Sequence, residues 1–217
     1  MNNVLSYTLL LLGSVILSII HIGIIKYFSE GEKISVLMKG VVTVITTICV
    51  YMAMHLSARP IAELLFAMLL IITGGIDHKT KTVVVGLTVL LGLSAALATL
   101  LYMPLTVDVL IGGAFGFGFY LAIYWVAKFF YKKEAFGYGD VIFMGVIGLF
   151  LGLQYTILAS LLTFYVALVF IVIFAIVGKL TSRKAEVAFA PYMALSAWIV
   201  SYFGKNIIDL YVNLFIK

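Results

Sequence analysis

The sequence predicts an all-α fold, a polytopic membrane helical bundle of about eight transmembrane helices, and three observations carry that prediction. Of the 217 residues, 65% are hydrophobic and only 11% charged, with a mean hydropathy of +1.23. A soluble domain of this length needs far more polar surface to cover itself. The apolar runs also repeat from one end of the chain to the other, as in an integral membrane protein rather than a soluble one behind a signal peptide. Finally, the runs are long and continuous, whereas the strands of a membrane barrel are short and alternating, so helices are the spanning element.

Residues 4–25 form the first predicted span, followed by a polar stretch over 26–39. The second covers 40–54 and ends at His55, Arg59 and Pro60; the third covers 61–76, with Glu63 near its start and Asp77 at its end. The fourth runs over 83–103, and residues 104–108, opening with Pro104, form a tight turn. The fifth covers 109–127 and leads into a basic loop over 128–139. A short sixth span (141–153) and a seventh (156–177) follow, then a second basic loop over 179–186. Residues 187–203 make the eighth span, leaving 206–217 as an apolar tail too short to cross.

Eight spans put both termini on one side. The loops 26–39, 77–82, 128–139 and 179–186 hold Lys26, Lys33, Lys39, Lys79, Lys81, Lys128, Lys132, Lys133, Lys179, Arg183 and Lys184. The opposite side holds Arg59, Lys205 and Lys217, so the 14 cations divide eleven to three. The positive-inside rule then assigns the eleven to the cytoplasm and both termini to the outside. Cys49, the single cysteine, lies within an apolar run and can form neither an internal disulfide nor a zinc cage. The net charge of +5 is modest and sorts by topology, and no basic groove interleaved with aromatics exists, which argues against a nucleic-acid partner.

Acidic residues number nine, and two of them close or open apolar runs in Gly74-Gly75-Ile76-Asp77-His78 and Phe136-Gly137-Tyr138-Gly139-Asp140. A carboxylate beside a membrane span is costly to desolvate and reads as a functional site. By the topology above, both lie at the cytoplasmic boundary. Two carboxylates close together in a low-dielectric site share a proton and supply an acid and a base at once. Such a pair can activate water against an amide carbonyl and protonate the leaving amine. A carboxylate-coupled transporter would use the same residue types, and spacing alone does not separate the two. Gly137 and Gly139 permit unusual backbone angles and close approach of another chain before Asp140. The same pattern also fits a loop followed by an aspartate capping a span.

Gly137-Tyr138-Gly139-Asp140 resembles the Gly-x-Gly-Asp signature of the GxGD aspartic membrane proteases, with Gly148 and Gly152 spaced as in type IV prepilin leader peptidases. Phe189-Ala190-Pro191-Tyr192, continuing through Trp198 to Gly204, is similar to that family's closing span. Asp77, followed by His78-Lys79-Thr80-Lys81, resembles its first catalytic aspartate, and the 63-residue separation (140 − 77) suits it. The sequence departs from the family where Val141 is followed by Ile142 and where Val83-Val84-Val85 replaces an Ile-Pro element. The resemblance divides the single membrane peptidase domain, 1–217, into divergent N-terminal spans (1–60) and a peptidase core (61–204).

The resemblance implies an aspartic endopeptidase that trims type IV prepilins or pseudopilins at the cytoplasmic membrane face. Asp77 and Asp140 would be catalytic, with Gly137, Tyr138 and Gly139 shaping the loop; neither metal nor organic cofactor is implied. Bifunctional members carry paired Cys-x-x-Cys motifs in a cytoplasmic insert associated with N-methylation. With one cysteine and a first loop of 14 residues (26–39), this chain is expected to lack that activity. Presenilin-like GxGD proteases share only the second motif, since Ile76 precedes Asp77 and Tyr192-Met193 follows Pro191.

Other polar residues take plainer readings. His78 reads as a solvated loop residue, and His21 and His55 lie near span ends without metal-ligand spacing. Glu63 and Asp108 read as polar residues of the outer side. Gly112, Gly113, Gly116 and Gly118 predict close helix packing along the fifth span. Lys128, Lys132 and Lys133 set topology and contact lipid.

Overall fold

Apolar runs without interior proline leave the helical hydrogen-bond ladder unbroken, and eight of them become helices in the computed structural model, which describes residues 2–29, 33–102, 106–131, 137–177 and 188–215. In order they are α1 (Asn2–Phe28), α2 (Val36–Leu56), α3 (Pro60–Thr80), α4 (Val85–Thr99), α5 (Val107–Tyr131), α6 (Tyr138–Leu151), α7 (Leu153–Ile176) and α8 (Ala190–Phe215). Pro60 and Pro191 both sit in the first turn of a helix, where a missing N–H costs nothing. Five helices, α1, α2, α3, α5 and α7, are long and apolar enough to cross a membrane, and α4 and α6 are apolar but shorter. The protein is a multi-pass membrane protein. The expected turn at Pro104 and most of the two basic loops, with Lys132, Lys133, Lys179, Arg183 and Lys184, lie outside the described residues.

Two boundaries differ from expectation in ways that matter. The third helix does not stop before Asp77 but continues one turn further. It ends at Lys81, whose backbone is left-handed (φ 58°) and whose N–H donates to the Asp77 carbonyl at 2.8 Å. The eighth span and the apolar tail are one unbroken 26-residue helix. Gly204 does not break it, because it is needed for contact: a Cβ there would stand 2.8 Å from Tyr155 of α7.

α3 and α6 form the centre. α3 packs against α1, α2, α4 and α8, while α6 packs against α4, α5, α7 and α8. Ten of the fourteen residues of α6 are buried. The two helices meet through Phe66 and Phe150, whose rings stack with centroids 3.9 Å apart. α5 lies close on α6 along a glycine seam. A Cβ on Gly116 would come within 2.5 Å of the Met144 carbonyl oxygen, and one on Gly145 within 3.1 Å of Phe117 Cβ. Gly112 and Gly113 join the seam as expected, but Gly118 faces open space.

α1 and α2 pair through side-chain hydrogen bonds, which keep their strength away from water. Ser14 meets Thr47 at 3.2 Å, Thr43 donates to Ser18 at 3.5 Å, and His21 Nδ1 meets Thr46 Oγ1 at 3.0 Å. His21 is therefore a buried member of a helix pair, well inside α1.

Candidate active site

The carboxylate of Asp77 lies in the last turn of α3, buried among apolar neighbours. Its Oδ2 accepts a hydrogen bond of 3.0 Å from the backbone N–H of Ala190, the first residue of α8. A helix N-terminus carries free N–H groups and partial positive charge, so it is a natural partner for a carboxylate. The Phe189-Ala190-Pro191 corner is thus tied to an aspartate 113 residues earlier. Lys81 adds a positive charge within reach of the same carboxylate.

Asp140 occupies the first turn of α6, and its N–H donates to the Gly137 carbonyl at 3.1 Å. Its side chain curls back over Gly137, where an added Cβ would lie 3.0 Å from Oδ2. Asp140 is buried, yet its Oδ1 has no hydrogen-bond partner among the described residues. Buried polar atoms are nearly always paired, so an unpaired one calls for an explanation such as a catalytic role, a water or an ion. The two carboxylates lie within electrostatic reach of each other.

Gly139 helps bring them together. A Cβ on Gly139 would fall 2.6 Å from the Cβ of Val83, in the segment that links α3 to α4 just after Asp77. Neither Gly137 (φ −73°) nor Gly139 uses the left-handed region; among the described residues the one glycine with positive φ is Gly152. These glycines therefore serve close approach, not unusual backbone angles. Tyr138 turns away and is half-exposed, with its ring edge on Tyr124 of α5 at 5.8 Å. His78 is exposed as expected, but it stands on the last turn of α3 rather than in a loop.

Three participants escaped the sequence reading. The Ala190 amide had no signal beyond the Pro191 motif. Val83 is unremarkable in an apolar chain. Tyr120 of α5 is fully buried and lies within electrostatic reach of Asp140. No sequence feature distinguishes it from the other aromatics.

At the opposite end of α3, Glu63 proves to be more than a polar helix end. It is buried and pairs with Arg59 at 3.3 Å, and the Arg59 guanidinium lies over the Phe150 ring, 4.4 Å from its centroid. The pair borders a polar cavity of about 310 Å³ shared with Tyr102, Ser201 and Tyr202. Asp108 accepts from the N–H of Leu153 at 3.3 Å and so caps α7. No cluster of three or more His, Cys, Asp or Glu side chains is assembled among the described residues.

A helical membrane bundle with paired buried carboxylates at one end, one held on a helix N-terminus and the other in a glycine-flanked turn, has the makings of an acid–base hydrolase. Residues 64–176, a span that contains both aspartates, match the type IV leader peptidase family, and the chain belongs to that family. It is 29% identical over 147 residues to a prepilin leader peptidase/N-methyltransferase of Xanthomonas campestris pv. campestris, covering 66% of this chain and 50% of that protein. Over 119 residues it is 35% identical to the Haemophilus influenzae protein of that name, covering 53% of this chain and 46% of the relative. Against the Pseudomonas aeruginosa protein, also of that name, identity is 32% over 110 residues, 49% of this chain and 36% of the other. The chain thus spans half or less of the length of these relatives. No solved structure matches it.

Proposed function

We propose that the chain is a membrane aspartic endopeptidase that removes the leader peptide of type IV prepilins or pseudopilins, with Asp77 and Asp140 as the catalytic pair. The observation that carries this reading is the convergence of the two aspartates on one end of the bundle, with Asp140 Oδ1 unpartnered among the described residues. The family membership and the relatives' names support the same chemistry.

Sharing one proton, the pair acts as base and acid together. The ionised carboxylate takes a proton from a water as its oxygen attacks the scissile carbonyl carbon. The protonated partner donates to the carbonyl oxygen, and collapse of the tetrahedral species breaks the C–N bond as the amine takes up a proton. The Ala190 amide fixes Asp77 in place throughout, and Gly137 and Gly139 keep side chains out of the approach to Asp140.

The eleven-to-three cation asymmetry supports a site at the cytoplasmic face with both termini outside. Methyl transfer is not part of the proposal, since the sequence holds one cysteine, buried Cys49, and no Cys-x-x-Cys pair. A transporter would place its carboxylates near the midplane between broken helices; here α3 and α6 are continuous and their aspartates lie at helix ends. The test is cleavage of a prepilin-like substrate by the purified protein in detergent. Asp77→Asn and Asp140→Asn should each lose about 10²–10⁴-fold in kcat, the usual contribution of a general acid or base. Cleavage surviving either change at wild-type rate would refute the pair.

A further inference from the structure

A second polar site lies at the end of α3 remote from the aspartates. Its cavity of about 310 Å³ is bordered by Ser57 and Arg59 of the α2–α3 connection, Glu63 of α3, Tyr102 just beyond α4, and Ser201 and Tyr202 of α8. That size falls at the lower end of the range for ligand sites, about 300–1,000 Å³. Four of these side chains carry hydroxyls and the other two carry opposite charges, in a chain that is only 11% charged. Arg59 is fixed in place but only partly used. Its guanidinium lies over the Phe150 ring and its Nε donates to Glu63 Oε1, while neither Nη has an acceptor among the described residues. Glu63 is buried beside it, and a carboxylate accepts at two oxygens. Tyr102 Oη accepts from the Ile61 N–H at 3.4 Å, which leaves its own O–H to donate. α3 spans 21 residues, about 31 Å, close to the thickness of a hydrocarbon layer. Arg59, at its start, therefore reaches headgroup level on the side away from Asp77. Leu56, which also borders the cavity, and the neighbouring Leu97 and Leu101 are exposed apolar side chains.

We propose that this cavity binds the headgroup of an amine phospholipid, with the phosphate on the Arg59 fork and the ammonium on Glu63. The inference is independent of the peptidase reading. A guanidinium edge is a planar fork that matches two phosphate oxygens, and the rim hydroxyls supply further donors. A phosphate alone would also face the Glu63 carboxylate, and a cation alone would face the guanidinium. A ligand that carries both charges a few bonds apart meets each with its opposite and brings no net charge into a partly buried site. The exposed leucines beside the cavity give the acyl chains an apolar surface to lie on, which a soluble phosphate ester would not use.

The test is native mass spectrometry of the full chain in detergent, with phosphatidylethanolamine and phosphatidylglycerol of identical acyl chains competing in equal amounts. The two lipids share the phosphate and differ in the ammonium. The wild type should retain the ethanolamine lipid at least about tenfold over the glycerol lipid, the lower end of what a hydrogen bond to a charged group supplies. Glu63→Gln keeps the shape of the site and should bring that ratio close to one. Arg59→Lys keeps a cation opposite Glu63 but loses the fork, and should weaken both lipids. Tyr102→Phe removes one rim hydroxyl and should weaken both severalfold, which keeps a test available where the buried pair does not tolerate substitution. Lys128→Gln, a cation lost from the other end of the bundle, should change neither. Equal retention of the two lipids by the wild type overturns the proposal, as does a preference that survives Glu63→Gln in folded protein or binding that Tyr102→Phe does not weaken. Displacement of the lipid by an equal concentration of soluble glycerophosphoethanolamine would overturn the lipid as the source of the headgroup.

Discussion

Replacing Gly139 by alanine should cripple catalysis without unfolding the protein, and the reason is steric. The new Cβ would sit 2.6 Å from Val83 Cβ and 3.3 and 3.4 Å from its two methyl carbons. Ordinary contact begins near 3.5 Å, so the α3–α4 segment and the start of α6 must part by about 1 Å. That segment begins four residues after Asp77, and Asp140 follows Gly139 directly. A displacement of this size between reacting groups costs about 10²-fold in rate. Steady-state cleavage should therefore show kcat down by about that factor with KM little altered. A second-site test isolates the cause. Val83→Gly removes the nearest atom and should restore most of the loss, whereas Val83→Ala keeps the Cβ and should not. Gly139→Ala at wild-type kcat, or equal rescue by both Val83 variants, would refute the reasoning.

Other outcomes follow from the packing. Arg59→Ala leaves Glu63 as a buried carboxylate without its partner and should cost about 3–5 kcal/mol. Unfolding in detergent would reveal it, while the kcat of the protein that remains folded stays unchanged, since the pair lies at the far end of α3. Gly112→Ala drives a methyl against the backbone of Gly152, 2.5 Å from its carbonyl carbon, and should destabilise by about 1–3 kcal/mol. Gly118→Ala meets nothing and should be neutral or stabilising by up to about 1 kcal/mol through helix propensity. Thermal unfolding of the two variants side by side checks the contrast.

Helix number and order were legible because apolar run length is a strong signal. Boundaries were less so. Polarity changes at Asp77 and predicts that it follows its span, yet the backbone remains helical until Lys81 adopts a left-handed turn. Gly204 and Lys205 read in the sequence as an end to the eighth span, although a glycine that accommodates Tyr155 has no reason to stop a helix. The two aspartates stood out as rare charges in an apolar chain. Their partners did not: an amide such as that of Ala190 leaves no trace in residue type, and Val83 is one valine among many. The role of Gly139 was half legible, since glycine marks either backbone freedom or close approach, and only the neighbour decides which.

The shortness of α4 and α6 has a further consequence. With 15 and 14 residues they are about 22 and 21 Å long, against roughly 30 Å of hydrocarbon in an ordinary bilayer. These are the helices whose N-terminal ends border the aspartates. Lipid beside α4, whose Leu90, Leu93 and Leu97 are exposed, must thin by about 8 Å, or the carboxylates lie in a hollow below the level of the headgroups. Hydrophobic mismatch is thereby concentrated next to the proposed catalytic pair, so on that proposal the acyl-chain length of the surrounding membrane becomes a determinant of how readily water and substrate can get down to Asp77 and Asp140.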